Sequence, residues 1–288
     1  MRLALLVLAF VLLATASAQA APPQRATKSP DDISAYWTKE RMRSAVPRER
    51  AKPGGGGGGG APASWTSFAV TPVPYDVGHR MNGKVFMTEG GVNYVCSGTS
   101  VAASTGISLV WTAGHCTNEG PGDYVTNFMF APAYYDGNTP YGRWAETSIQ
   151  TTSQFQNQGD LMYDFGAARV DPPSGFAGQT LNDVVGSRAM AFNYTVTTTS
   201  TRFTSYGYPA AGKFNGQRMW ACDSTVTYRD GTDMGIGCNM TGGSSGGGWI
   251  NSGGALGSVN SYGYNNLKNV MFGPYQGNVA QALYQSMD

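Results

Sequence analysis

From about residue 61 to the C-terminus, short segments rich in Val, Thr, Tyr and Phe alternate with turns made of Gly, Asn, Asp and Pro. Such segments are typical of β-strands, and a chain with many of them folds as a sandwich or a barrel. Hydrophobic residues make up 41% of the 288-residue chain, which is enough for a substantial core. No repeat of 20–50 residues recurs, so the sequence argues against a solenoid or a propeller.

Helical periodicity is weak in this region except near its end. There, the pattern predicts one short terminal helix over Gly277–Met287. The clearest predicted strands are Lys84–Thr88, Val92–Ser97, Leu109–Thr112, Met190–Val196 and Arg202–Tyr206.

Residues 1–20 have the pattern of a secretory signal peptide. Arg2 provides the positive start, Leu3–Leu13 is uninterrupted and apolar, and Ala16–Ala18 and Ala18–Ala20 both offer small-x-small cleavage sites. The apolar run is too short to span a membrane comfortably. We therefore expect a secreted, extracellular protein without a membrane anchor.

Residues 21–60 differ in character from the rest and end in seven glycines, Gly54–Gly60, which are typical of a flexible linker. We interpret them as a pro-segment and tether that precede one domain at 61–288. Asp31–Val46 is predicted as a helix that begins at Asp31 or Asp32 and ends before Pro47. Residues 1–60 carry an excess of five positive charges and the remainder an excess of four negative charges. The leader could therefore dock by charge complementarity or bind nothing, and the sequence leaves both open.

Four cysteines in an exported chain favour disulfides over a metal site. Of the three possible pairing schemes, we predict the one that joins cysteines close in sequence, Cys96–Cys116 and Cys222–Cys238. Metal binding is disfavoured because no C-x-x-C spacing occurs and the chain has only two histidines. The net charge of +1 also argues against a dedicated nucleic-acid-binding protein.

Two segments carry a candidate base and a candidate carboxylate. In Val110–Cys116 an apolar strand runs into a tight turn at His115, and imidazole is suited to general-base chemistry near neutral pH. In Tyr163–Val170 a carboxylate, Asp164, precedes a small apolar strand, where burial would require a partner such as an imidazole N–H. Taken singly, His115 could be structural and Asp164 a turn or cap residue.

The third segment, Thr241–Trp249, places Ser244 and Ser245 among five glycines. Glycine permits positive φ and close backbone approach, so a substrate carbonyl could reach a hydroxyl and two backbone N–H groups together. The alternative is a second flexible linker, which the adjoining Trp249-Ile250 argues against.

The three segments follow one another in the order His, Asp, Ser, spaced 49 and 81 residues apart. The motifs T-A-G-H-C, D-F-G-A-A and G-S-S-G-G together resemble those of the chymotrypsin-like serine peptidases. This resemblance covers about residues 80–288. It implies an all-β fold of two six-stranded antiparallel barrels, at about 80–180 and 181–288, with the active site between them. Tyr36–Met42 resembles the leaders of secreted bacterial members near the glutamyl-endopeptidase branch.

The resemblance implies a role for each motif residue. His115 would be the general base, Asp164 would orient it, and Ser245 would be the nucleophile. Ser244 is the competing nucleophile, but the G-x-S-G-G frame selects Ser245. The backbone N–H groups of Gly243 and Ser245 would form the oxyanion hole.

The primary specificity pocket is harder to infer. Asn239 would lie at its base, where an Asp would have predicted a preference for Arg or Lys. In the family, one strand pairs with the substrate backbone and forms a wall of the pocket. In this chain the segment that resembles it is Asn260, Ser261, Tyr262 and Gly263. The glutamyl-specific relatives have a His where we align Asn260. Because neither charge is present, we predict no strict basic or acidic preference.

The motif around the nucleophile departs from the family pattern G-D-S-G-G-P at two positions. Ser244 replaces the acid and Gly248 replaces the proline. In the trypsin-like branch that acid pairs with a newly freed N-terminal amine, so this activation switch is not expected here.

The sequence therefore predicts a secreted, monomeric serine endopeptidase that acts on protein or peptide substrates through an acyl-enzyme and needs no cofactor. Its own pro-segment is a candidate intramolecular inhibitor. One alternative is a catalytically silent binding module on the same fold. Another is an esterase with a G-x-S-x-G elbow, which normally has its His last, whereas here His115 precedes the motif.

Overall fold

The computed structural model describes residues 20–54, 66–103 and 106–288. Residues 1–19 of the predicted signal peptide and most of the glycine linker lie outside these residues. Within them, the leader contributes the strands β1 (Gln24–Arg25), β2 (Val46–Pro47) and β3 (Ala51–Lys52). The remaining strands are β4 (Phe68–Ala69), β5 (Asn82–Glu89), β6 (Val92–Val101), β7 (Leu109–Thr112), β8 (Thr126–Pro132), β9 (Trp144–Thr151), β10 (Gly166–Asp171), β11 (Arg202–Gly207), β12 (Trp220–Asp230), β13 (Asp233–Gly237), β14 (Gly248–Asn251), β15 (Leu256–Val259), β16 (Tyr262–Tyr264) and β17 (Leu267–Gly273).

Helices are few and short. In the described part of the chain, no helix has the length and apolar character needed to cross a membrane. Single-turn 3-10 helices occur at Gly114–Cys116, Leu161–Tyr163 and Ser174–Phe176. The α-helices are α1 (Pro30–Tyr36), α2 (Lys39–Ser44), α3 (Ser153–Gln158), α4 (Leu181–Val185) and α5 (Asn278–Met287).

The first half of the main domain is a closed antiparallel barrel. Its six strands follow the order β9-β10-β7-β6-β5-β8, and pairing of β8 with β9 closes the ring. Closure removes the exposed strand edges that would otherwise invite aggregation. Its interior is filled by large apolar side chains that are fully buried, including Val85, Trp111 and Phe130.

The second half is a sheet in the order β15-β14-β11-β12-β13-β17, with β16 added along β17. Its core holds Phe203, Ile236 and Trp249. Helix α5 follows this sheet but packs Leu283 and Met287 into the first barrel's core, which ties the two halves together. The predicted all-β, chymotrypsin-like architecture with a short C-terminal helix is confirmed.

One predicted strand is wrong. Met190–Val196 makes only an isolated bridge, between Met190 and Leu256. Asn193 has a φ of +53°, which interrupts an extended strand, and its backbone N–H bonds to Gln276 instead. The other four predicted strands lie within β5, β6, β7 and β11.

Residues 20–54 of the leader are folded onto the domain, and their helical part is not the single helix predicted over 31–46. Ser29 caps α1 and Thr38 caps α2, because each side chain accepts from a backbone N–H in its helix's first turn. Between the two helices the chain leaves helical geometry at Trp37, whose indole is fully buried beside Phe86 and donates to the Asn127 carbonyl at 2.7 Å. Burial of this side chain is the physical reason for the break.

Candidate active site

The first component of the site is a buried His–Asp pair. Strand β7 ends at Thr112, and the 3-10 turn that follows carries His115, whose side chain is fully buried. The Cys96–Cys116 disulfide fastens this turn to β6. Asp164 accepts from the backbone N–H of His115 and from its Nδ1, both at 2.7 Å. The structure thus brings together two residues 49 positions apart and fixes the imidazole orientation.

Asp164 remains ionised in this buried position. Burial alone would raise its pKa, but the electrostatic interaction with His115 and hydrogen bonds from His115 and Ser261 lower the pKa below its usual value. The Ser261 hydroxyl donates to Asp164 Oδ2 at 2.5 Å. Nε2 of His115 has no hydrogen-bond partner among the described residues. The imidazole is therefore held through Nδ1, which leaves Nε2 available to a further partner.

Ser245 lies on a tight turn between β13 and β14. Gly243 and Gly246 have φ values of +92° and +80°, and a Cβ on Gly246 would lie 2.0 Å from the Thr112 hydroxyl. Only glycine fits this conformation at such close approach. The competing serine, Ser244, donates its hydroxyl to the Thr241 carbonyl at 2.7 Å, which occupies it within the turn.

The Ser245 hydroxyl meets the leader. It donates to the carbonyl oxygen of Arg48 at 3.3 Å, and the backbone N–H of Gly243 donates to the same oxygen at 3.0 Å. The Gly243 N–H is one of the two donors predicted for the oxyanion hole, and it already binds a carbonyl oxygen that lies beside the predicted nucleophile.

A cavity of about 330 Å³ is lined by Ser245, the predicted nucleophile, and by four of the predicted pocket residues. Glu49 and Arg50 of the leader also line it. Asn239 accepts at its amide oxygen from the backbone N–H of Ser67 at 2.9 Å. The predicted pocket residues along the cavity are Asn239, Ser261, Tyr262 and Gly263.

Asn260 does not line this cavity, so its predicted place in the pocket wall needs correction. Its amide oxygen accepts from Ser205 and from the Trp249 indole, both at 2.7 Å. Its amide nitrogen donates to the Tyr206 and Ser244 carbonyls, both at 3.0 Å. With these four bonds made, the fully buried Asn260 supports the serine turn and has little capacity left for a substrate.

Sequence reasoning missed a second support of this turn, Ser97. Its hydroxyl donates to the Gly243 carbonyl and accepts from the Tyr208 backbone N–H, both at 2.9 Å. Its backbone N–H donates to the Ser245 carbonyl at 2.7 Å. No motif marks this serine, since the contact joins β6 to a turn almost 150 residues later.

A closed barrel beside a second β-sheet, with His, Asp and Ser at the junction, defines the chymotrypsin-like class of serine peptidases. No protein-family model matches this sequence, and none of the curated proteins does. Among solved structures, the chain is similar to the protease Anisep from Arthrobacter nicotinovorans, at 44% identity and a TM-score of 0.69 over 76% of this chain and 98% of that one. It is also similar to a thermostable serine protease, AL20, from an extremophilic microorganism, at 40% identity and a TM-score of 0.68 over 74% and 98%.

A Glu endopeptidase is similar in fold at 20% identity, with a TM-score of 0.60 over 76% of this chain and 95% of that one. The first two structures share 44% and 40% identity with this chain, and the similarity covers 98% of each of them. They and this chain therefore belong to one family. This chain belongs to the chymotrypsin-like serine peptidases and is a serine endopeptidase.

Proposed function

We propose that this chain cleaves peptide bonds with Ser245 as nucleophile, His115 as general base and Asp164 as its orienting carboxylate. The observation that carries the proposal is the convergence of Ser245 Oγ and the Gly243 N–H on one carbonyl oxygen. In a substrate complex, Ser245 Oγ attacks the carbonyl carbon while His115 Nε2 takes the hydroxyl proton. His115 then gives this proton to the departing amine, which leaves an ester on Ser245.

Hydrolysis of the ester completes the cycle. His115 takes a proton from a water molecule, whose oxygen attacks the acyl carbon. His115 then gives this proton to Ser245 Oγ as the ester bond breaks, which releases the new carboxyl terminus and free Ser245. The alternative of a silent binding module is disfavoured, because such a module has no need of an ionised, fully buried Asp164 aligned on His115. Two disulfides and the predicted signal peptide at residues 1–20 support secretion.

Labelling with a fluorophosphonate tests the proposal. The protein is treated after proteolytic removal of the residues before about 61, and the label is mapped by peptide mass spectrometry. We expect modification of Ser245 and none in the Ser245→Ala variant. Ser244→Ala is the matched control and should label like the parent. Absence of label on folded, leader-free protein would favour the binding-module alternative.

We propose further that the leader is an intramolecular inhibitor. Its residues 46–52 cross the cleft as an extended strand. On one side, β2 pairs in parallel with β6, and Arg48 donates its backbone N–H to the Val95 carbonyl at 3.0 Å. On the other side, β3 pairs in parallel with β16, and the Gly263 N–H donates to the Arg50 carbonyl at 3.3 Å. The leader therefore covers both flanks of Ser245.

The direction of this strand predicts that the leader resists cleavage. A productive substrate places its acyl side chain in the cavity beside Ser261–Gly263 and its leaving nitrogen on the side of His115, which must protonate it. The Cys96–Cys116 disulfide places that side next to β6. The leader runs the other way, because residues before Arg48 lie on β6 and residues after it lie on β16. The nitrogen of Glu49 would thus depart on the side away from the general acid.

Mass spectrometry of the intact chain tests this second proposal. Incubation of the folded protein for hours should give no cut between Arg48 and Glu49, and Ser245 should label slowly until the leader is removed. Rapid cleavage at Arg48–Glu49 by the same molecule would contradict inhibition by a reversed strand. Fast labelling of the uncut chain would contradict inhibition altogether.

A further inference from the structure

Beyond the cleft, one side chain of the leader, Lys52, is bound like a ligand. Nζ of Lys52 lies 2.7 Å from Asp230 Oδ2 and 4.1 Å from the centre of the Tyr262 ring. The Tyr264 ring centre lies 5.8 Å from the same nitrogen. We call Asp230, Tyr262 and Tyr264 the cation cage, since a carboxylate and two aromatic faces are the groups that bind an ammonium ion.

The cation cage is built independently of the leader. The hydroxyls of Tyr262 and Tyr264 donate to Asp230 Oδ2 at 2.9 and 2.6 Å. The Tyr262 ring stacks on Phe272 with 5.3 Å between centres, and Tyr264 meets Phe272 edge-on at 5.2 Å. All these residues belong to the second sheet, so the cage should keep its shape when the leader leaves.

A second carboxyl, Asp233, is buried behind the cation cage and bears on the charge that the cage carries. Asp233 is fully buried, with Oδ2 at 2.9 Å from the Tyr262 hydroxyl, and its Oδ1 has no partner within the described residues. Burial raises the pKa of Asp233 to about 8, whereas the hydrogen bonds from Lys52 and Tyr264 lower that of Asp230 to about 2. At neutral pH the cage therefore presents one fixed negative charge, on Asp230, toward the cleft.

The cation cage lies along the path of the substrate. Tyr262 and Tyr264 line the cavity beside Ser245, and the Asn265 N–H donates to the Lys52 carbonyl at 3.2 Å. Lys52 is four residues from Arg48, whose carbonyl is at Ser245. An extended chain covers that separation in about 13 Å. A substrate on β16 would therefore bring the side chain of its third or fourth residue before the scissile bond to the same place.

We infer that, once the leader is gone, the cation cage is a substrate subsite that selects a lysine side chain three or four residues before the cleaved bond. This inference rests on the proposed peptidase function. The Asp230 side chain is 32% exposed, so water screens the ion pair and the expected preference is modest. We expect it as about a threefold difference in kcat/KM.

Matched peptides test the inference on the leader-free protein. Lysine and its uncharged isostere norleucine are compared at each of the second to fifth positions before the scissile bond. The lysine peptide should be preferred at the third or fourth position. Asp230→Asn should abolish that preference, and Asp223→Asn should retain it, because Asp223 is an exposed carboxylate on the same strand that pairs with Arg202.

Labelling of Ser245 with fluorophosphonate separates the two proposals. If Ser245 labels and norleucine peptides are cleaved, the peptidase function holds whatever the cage does. Equal kcat/KM for lysine and norleucine at every position would then overturn the subsite and leave the cation cage as a contact of the leader alone. A preference that persists in Asp230→Asn would also overturn it.

Discussion

Two parts of the leader contact the domain in different ways. Residues 29–44 pack on the first barrel through buried apolar side chains, among them Ile33, Trp37 and Met42. Residues 46–52 cross the cleft with few apolar contacts and are held by backbone hydrogen bonds and two ion pairs. We call these the anchor and the plug.

The comparison indicates a division of labour. Apolar burial is the larger source of free energy, whereas partly exposed ion pairs contribute little. The anchor should therefore determine how tightly the leader binds, and the plug should determine which groups it blocks. The labelling rate of Ser245 in the uncut chain reports the fraction of molecules with an open cleft and can test both statements.

Removal of the anchor's central side chain should have the largest effect. Trp37→Ala deletes a fully buried indole and its hydrogen bond to Asn127, a change that typically costs about 3–5 kcal/mol. We expect the labelling rate of the uncut chain to rise at least about 100-fold. Labelling of leader-free protein is the reference, and an unchanged rate in the Trp37→Ala variant would disprove the anchor.

A smaller effect is expected from the plug's buried ion pair. Arg48 donates to the Glu89 carboxylate through Nη1 and Nη2, and the Nη2 bond is 2.7 Å long. The Arg48 side chain is 8% exposed. Arg48→Met keeps the apolar length but leaves Glu89 without its partner. We expect labelling of the uncut chain to rise about tenfold. Arg41→Met, on the solvent side of α2, provides the control; equal effects of the two would show that the ion pair contributes nothing.

The pairing of the anchor with the barrel could be predicted only in outline. The sequence marked a leader, a linker and opposite net charges. The sequence could not indicate that the helix would be interrupted at Trp37. That interruption depends on packing of the indole against Phe86, a contact that exists only in the folded barrel. The error over residues 31–46 has the same origin: local propensity favours one helix, and tertiary burial produces two.

The site divides in a similar way. His115, Asp164 and Ser245 could be singled out because their motifs are local and the turn chemistry restricts the residues allowed. The structure places His115 against Asp164, and the catalytic roles of all three stay a prediction. Asn260 and Ser97 could not be assigned correctly, since their hydrogen bonds join strands far apart in sequence. The cation cage was likewise invisible, as Asp230 and Tyr262 meet only when β12, β17 and β16 are assembled.

A rise in pH should weaken docking of the anchor and increase the relative labelling rate of the uncut chain severalfold. Glu146 lies in a cavity lined by Lys28 and Ile33 of the leader, and burial raises its pKa to about 7. A carboxyl with a raised pKa binds its proton more tightly in the docked state, so docking is favoured at low pH and weakens as pH rises from about 4.5 to 7.

The labelling rate of the uncut chain, divided by that of leader-free protein at each pH, measures this effect. The ratio should increase severalfold between pH 5 and pH 8. Glu146→Gln should flatten the increase, because the amide does not titrate. A ratio independent of pH in the parent chain would show that Glu146 does not couple to docking.

The smallest effect should come from the outer end of the plug. Lys52 and Asp230 are both about one-third exposed, so water screens their attraction and the pair contributes well under about 1 kcal/mol. Lys52→Met should raise labelling of the uncut chain only about threefold, the least of the four changes. If it instead matched Trp37→Ala, the leader would be held at the cation cage rather than at the barrel, and the assignment of anchor and plug would have to be exchanged.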